Sequence, residues 1–161
     1  MNKPEQTRTN LNKLAQTCTN LHNMTQLLNN IARVEYIETR YLRDTIITPD
    51  NDVLLQYWRN FIELHIVGLA QVNVADQVEH NARLTTVTLN ALTCERFVPS
   101  TRPLAWRVTT VTGQQFLIGI NETPFPITTT TDNFPDKATD QSGTTVKVEW
   151  KTPLTLLRII D

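Results

Sequence analysis

The hydrophobic pattern of this 161-residue chain changes its period near residue 84. From Leu84 onward, apolar residues alternate with threonine and other polar residues, as at Val87, Leu89 and Ala91. A period of two is typical of strands with one buried and one solvated face. Threonine occurs 26 times against two serines, and 18 of these threonines follow residue 83. Because threonine suits a half-exposed pleated surface, we predict five or six antiparallel strands here.

The earlier part of the chain shows helical spacing instead. Apolar residues at steps of three and four over residues 9–43 predict an amphipathic helix. Some of them fall at the heptad spacing of a coiled-coil seam, which Thr25, Ala32 and Glu35 then interrupt. Two interpretations stay open: a helix docked on its own domain, or an arm that contacts another chain. In the second interpretation the contact residues are Leu11, Leu14, Leu21 and Leu28.

A second helical segment is predicted after Thr48. Thr48 followed by Pro49 and two nearby aspartates is typical of a helix start, with Thr48 as the N-cap. The stretch VLLQYWRNFIELHIV that follows is apolar on more than one face, which indicates burial between layers. Residues 60–67 also fit a strand, and the sequence leaves that choice open.

Turn residues and prolines delimit the predicted strands. The hairpin signal is clearest around Thr112-Gly113, which separates strand-like residues 104–111 and 115–120. The alternation places Trp106 and Trp150 in the core. Two prolines in TPFPITTTT restrict that segment to an edge strand or an extended cover. Its residues 127–131 would add to a neighbour's sheet, so Ile127 and Thr129 are predicted to contact a partner.

These patterns together predict an α+β fold. N-terminal amphipathic helices are followed by a small antiparallel β-sheet, sandwich or open barrel. The expected organisation is a helical arm over residues 1–47, a mainly helical connecting segment over 48–83 and a β domain over 84–161.

Residues for catalysis or metal binding are sparse. The chain has no G-x-S-x-G or C-x-x-C motif, and its two cysteines occupy apolar positions, which predicts buried, inert thiols. Cys18 with His22 supplies too few ligands for zinc, and an acidic loop lacks the spacing of a calcium loop. We therefore expect no enzyme activity, no cofactor and no metal. The side chains that could otherwise supply such chemistry are Cys18, Cys94, His22, Asp132, Asp136, Asp140, Glu122 and Glu149.

Charge and hydropathy exclude further classes. The net charge is −1, from 15 basic and 16 acidic side chains, which gives no electrostatic attraction for nucleic acid or anionic lipid. The longest apolar stretch, residues 53–74, contains Arg59, Glu63 and His65, so we expect no membrane span. The first ten residues are polar and unlike a secretory signal, which favours a cytoplasmic location after synthesis.

The stretch RVTTVTGQQFLIGINETPFPITTTT, with SGTTVKVEW and PLTLLRIID, resembles small β-rich structural proteins of bacterial prophages and related mobile elements. The resemblance covers residues 84–161. It implies a structural role, as a subunit of a phage particle or contractile tail, and a virion-associated location.

Two functional hypotheses follow. The first is a non-enzymatic assembly subunit that contacts itself or other assembly proteins and forms a homo-oligomer. The second is a small-ligand-binding or enzymatic β domain whose pocket lies between the helices and the sheet. Its expected lining residues are Trp58, His65, Trp106 and Glu122.

Overall fold

The computed structural model describes residues 30–55, 60–134 and 142–160. These residues form eleven β-strands and one short 3₁₀ turn at Thr39–Leu42, and they contain no longer helix. The predicted α+β class is therefore wrong for the described chain, which is all-β. The strands are β1 (Ile31–Glu38), β2 (Thr45–Ile47), β3 (Asp52–Leu55), β4 (Ile62–Leu64), β5 (Gln71–Glu79), β6 (Ala82–Thr93), β7 (Leu104–Thr110), β8 (Gln115–Ile118), β9 (Ile127–Asn133), β10 (Gly143–Thr152) and β11 (Leu157–Ile160).

The strands form two sheets. The large sheet has seven strands in the order β2-β3-β11-β8-β7-β1-β4, and the small sheet has four in the order β5-β6-β10-β9. All neighbours are antiparallel except β3 and β11, which run parallel. Single bridges from Ile31 to Ala70 and from Ile66 to Thr93 join the sheets where the chain passes from β4 to β5. Strands from both sides of residue 84 share each sheet, and the predicted domain boundaries stay predictions.

Both sheets contribute to one buried apolar cluster. Along β6 and β10 every second residue is buried, which confirms the period-two prediction for these strands. Trp106 and Trp150 are completely buried, as predicted. The indole Nε1 of Trp106 donates to Oγ1 of Thr128 at 3.3 Å and thereby links the large sheet to β9 of the small one.

Strand β1 replaces the C-terminal part of the predicted long helix. Ile31, Val34 and Ile37 are buried at intervals of three, which imitates helical spacing. The bulge between Ile31 and Arg33 accounts for the first interval. Val34 and Ile37 lie on opposite faces of β1 and both are buried, which accounts for the second. Strand β1 itself pairs with β7 and β4. The helical prediction is wrong over these residues. Leu11, Leu14, Leu21 and Leu28 lie outside the described residues.

Thr48 begins a turn between two strands, not a helix. Its backbone N–H donates to the carbonyl of Asp52 at 2.9 Å, and its Oγ1 accepts the Asp52 N–H at 3.1 Å. Asn51 takes the left-handed φ of 63° that such a turn requires. The turn joins the antiparallel β2 and β3. Residues 60–67, left open by the sequence, include strand β4.

The predicted hairpin is confirmed. Strands β7 and β8 pair around Thr112-Gly113, with Trp106 opposite Ile118 and Val108 opposite Phe116. The predicted edge strand is confirmed as well, because β9 is the last strand of the small sheet.

Candidate functional site: an open sheet edge with two adjoining hollows

Strand β9 presents an open edge. It pairs with β10 along one side, and no strand in the described ranges pairs with its other side. Four consecutive threonines, residues 128–131, give the middle of the strand no charge. Ile127 at its start is 66% exposed and Phe134 just beyond its end is 85% exposed. An edge of this kind is a template for a further strand.

The other edges of the described sheets are shorter or carry charge. Strands β2 and β4 have three residues each. Strand β5 is longer but carries Asp76 and Glu79. Short or charged edge strands are common protections against unwanted pairing. The middle of β9 has neither protection.

A hollow of about 250 Å³ adjoins the start of β9. It lies between residues 99–104 and 125–128, and its wall includes Pro126 and Thr128. Pro126 is buried, and its ring occupies the space that a Cβ on Gly119 would need. Gly119 also has a φ of +97°, so a side chain there is doubly unfavourable. This packing fixes the position where β9 begins.

A larger hollow of about 540 Å³ shares Ser100 and Leu104 with the first. Its remaining wall comes from the end of β1, the turn that follows, and residues at and just before the start of β4. These residues are Tyr36, Ile37, Glu38, Tyr41, Asn60 and Ile62. Glu38 Oε2 contacts Arg40 Nε at 2.7 Å and Arg102 Nη1 at 3.2 Å.

The predicted partner residues of the β region lie on the open edge. Ile127 and Thr129 are both exposed on β9. The alternative set of lining residues is not assembled: Trp106 is in the core, and His65 and Glu122 are exposed and line neither hollow. Trp58 lies outside the described residues. A pocket between helices and sheet is absent from the described chain because it contains no such helices.

Two prominent residues of this region were missed by the sequence reasoning. Phe134 stands in the polar stretch DNFPDK, where a lone aromatic residue was the available signal. Tyr41 falls within the helix predicted over residues 9–43, which gives it no role in a site. No local pattern indicates the larger hollow, because it is built from three separated segments.

The candidates for chemistry remain dispersed. Cys94 is exposed, so its predicted burial is wrong: it follows the last inward residue of β6, Thr93. Asp132 Oδ1 accepts the hydroxyl of Thr144 at 2.7 Å. In the parts of the chain that the structure describes, no three His, Cys, Asp or Glu side chains are grouped to hold a metal. Cys18, His22, Asp136 and Asp140 lie outside those parts.

Comparisons with known proteins add no relative. No family model, curated protein or solved structure matches the chain. Among the described residues, none forms a helix with the length and apolar character needed to cross a membrane.

Proposed function

We propose that this protein is a non-enzymatic assembly subunit that associates with copies of itself by pairing β9 strands. The observation that supports this most directly is the seven-residue β9 edge, uncharged through its four central threonines and flanked by exposed Ile127 and Phe134. The resemblance to prophage structural proteins favours a phage particle or phage-tail-like structure as the larger assembly.

Antiparallel pairing gives this contact a natural geometry. A twofold axis through Thr130, the midpoint of β9, pairs all seven residues of each copy with the other. The two four-stranded sheets then become one continuous sheet of eight strands. Threonine lies opposite threonine at the centre, and cross-strand threonine pairs are favourable. Asp132 falls opposite Thr128 of the second copy, so no carboxylates face each other.

In this arrangement, Phe134 of each copy can pack against the other copy. Thr128 and Thr130 are half-buried and face the large sheet, and the alternation, continued along β9, puts Phe134 on the same side. The register places Phe134 of one copy opposite Pro126 of the other, beside the hollow of about 250 Å³. The wall of this hollow includes Pro99, Pro103 and Pro126, against which the exposed ring can pack, and this is why a second copy is the proposed occupant.

The free energy of association expected from this contact is modest. Burial of a phenylalanine side chain contributes about 1.5–3 kcal/mol, and the twofold contact buries two of them. The strand pairing adds backbone hydrogen bonds whose net contribution is about 1 kcal/mol each. One seven-residue strand and one phenylalanine from each copy form a smaller contact than obligate dimers usually have. We therefore expect reversible association that repeated contacts in a larger assembly would reinforce.

Sedimentation equilibrium of the full chain tests the proposal. The wild type should show concentration-dependent dimers. Thr129→Lys combined with Thr131→Lys should yield monomers, because lysines from the two copies face each other across the edge. Thr145→Lys is the matched control: Thr145 is exposed on β10 directly opposite Thr131, but inside the sheet. It should leave the dimer intact.

Phe134→Ser tests the packing of Phe134 against the other copy. It should weaken association about tenfold or more. Val78→Ser, which changes a residue 77% exposed on β5, should have no effect. A wild-type chain that stays monomeric at high concentration overturns the proposal, as do dimers that survive both β9 lysines.

A further inference from the structure

The larger hollow has the size and wall of a small-ligand site. Its volume of about 540 Å³ lies within the range of about 300–1,000 Å³ that is usual for such sites. Ile37 and Leu104 in its wall are buried, and Ile62 is 56% exposed. The wall therefore offers aliphatic surface to a ligand without depending on the β9 edge.

Two tyrosine rings in this wall are held in place by neighbours. The Tyr36 ring meets the ring of Phe97 edge-on, with centroids 5.2 Å apart, and that of Trp106 at 5.4 Å. The guanidinium of Arg40 lies 4.6 Å from the centre of the Tyr41 ring and donates to its hydroxyl at 2.7 Å. Rings fixed before binding lose little conformational freedom when a ligand arrives.

The Glu38 carboxylate in the wall of the hollow is paired with two arginines that do not line it. The described contacts of Glu38 with Arg40 and Arg102 are made through Oε2, so Oε1 can accept further hydrogen bonds. Among the described residues that line the hollow, Glu38 is the charged one, and its carboxylate repels an anionic ligand. Its pairing with both arginines leaves no net negative charge to attract a cation, so a neutral ligand is favoured.

From these features we infer that the hollow binds a neutral saccharide of one or two sugar units. A sugar ring presents C–H groups that can stack on tyrosine and aliphatic side chains. Its hydroxyls can donate to Glu38 Oε1 and exchange hydrogen bonds with the amide of Asn60. Ser100 Oγ accepts the backbone N–H of Arg102 at 3.1 Å, which leaves its hydroxyl hydrogen for a sugar oxygen. The inference stands apart from the proposed β9 pairing.

Saturation-transfer NMR on the full chain tests the inference. The probes are glucose, galactose, N-acetylglucosamine, lactose and cellobiose, with choline and acetate as charged comparisons. At least one saccharide should receive saturation, with a Kd of about 1 mM, and the charged probes should receive none. Tyr41→Ala and Glu38→Gln should each weaken saccharide binding about tenfold. Glu79→Gln, a carboxylate exposed at the end of β5, should leave it unchanged.

Thermal unfolding of each variant separates a loss of binding from a loss of fold. Should Glu38→Gln alter the fold, Tyr41→Phe supplies a second test, because it keeps the ring and should retain most of the binding that Tyr41→Ala removes. If none of the five saccharides receives saturation from the protein, the inference is overturned. Binding that persists in folded Tyr41→Ala and Glu38→Gln variants also overturns it, as does a preference for choline or acetate. None of these outcomes bears on the β9 proposal, because sedimentation equilibrium measures the association of two copies independently of saccharide binding.

Discussion

The carboxylate of Glu35 is nearly buried within the large sheet, with 9% of its side chain exposed. Arg107 on β7 donates to both of its oxygens, from Nε at 2.7 Å and from Nη2 at 2.8 Å. The ring of Phe61 lies 4.2 Å from that guanidinium and covers it. Glu35→Ala would leave Arg107 in this covered position without its counter-charge. We expect this change to lower the free energy of unfolding by about 3 kcal/mol, measured by urea denaturation.

Glu63 supplies the control for Glu35. It lies directly opposite Glu35 on β4, and its side chain is 48% exposed, with a contact of 3.4 Å to Arg33. Glu63→Ala should change the unfolding free energy by less than about 1 kcal/mol. Equal effects from the two substitutions would contradict the view that burial makes the Glu35 pair important.

Asp76 on β5 should stabilise the fold at neutral pH and lose this effect in acid. The hydroxyl of buried Thr85 donates to Oδ1 at 2.6 Å and Arg83 Nη2 donates to Oδ2 at 2.7 Å, and these bonds hold the pKa of Asp76 below its usual range. A lowered pKa stabilises the fold above the unfolded value of about 3.9, and this stabilisation is lost as the pH falls through the folded pKa. Thr85→Val should raise the pKa of Asp76, as measured by a carboxyl carbon NMR titration.

Arg83→Gln tests the second contributor. It should also raise the pKa of Asp76, because it removes both a hydrogen bond and a nearby positive charge that lower this pKa. Each variant should also lose stability at a higher pH than the wild type on the acid side. An unchanged titration in Thr85→Val would show that the buried hydroxyl does not stabilise the carboxylate.

At the scale of whole strands, the sequence predicts a strand well where one face is buried and the other is exposed to solvent. Strand β10 alternates cleanly between buried and exposed residues, so its period could be read directly. Strand β1 could not be read this way, because Val34 and Glu35 are both buried on opposite faces and a bulge shifts Ile31. Two-sided burial removes the alternation on which strand prediction rests.

The two parts of the candidate site also differ in how far the sequence predicts them. The β9 edge could be predicted because prolines next to Ile127 and a run of threonines mark it within a single segment. The larger hollow brings Glu38, Asn60 and Ser100 together from separate segments of the chain. Their proximity depends on β1 lying between β4 and β7, an order that no local pattern specifies.

For the molecule as a whole, the position of β1 sets how much of the N-terminal region can be removed. A chain lacking residues 1–29 retains all eleven described strands, so we expect it to keep a cooperative unfolding transition, followed by tryptophan fluorescence. Removing residues 1–45 deletes β1, which pairs with both β7 and β4 and contributes buried Val34. That shorter chain should fail to fold, as seen by loss of the transition and of dispersed amide signals in NMR.

The same pair of deletions distinguishes two routes of association. If β9 carries the contact, the chain without residues 1–29 should form dimers with the affinity of the full chain in sedimentation equilibrium. If Leu11, Leu14, Leu21 and Leu28 form a coiled-coil seam, that deletion should yield a folded monomer instead. Thr129→Lys with Thr131→Lys, introduced into the deleted chain, completes the comparison. Dimers lost only with these lysines assign the contact to β9, whereas dimers lost with the deletion alone assign it to residues 1–29.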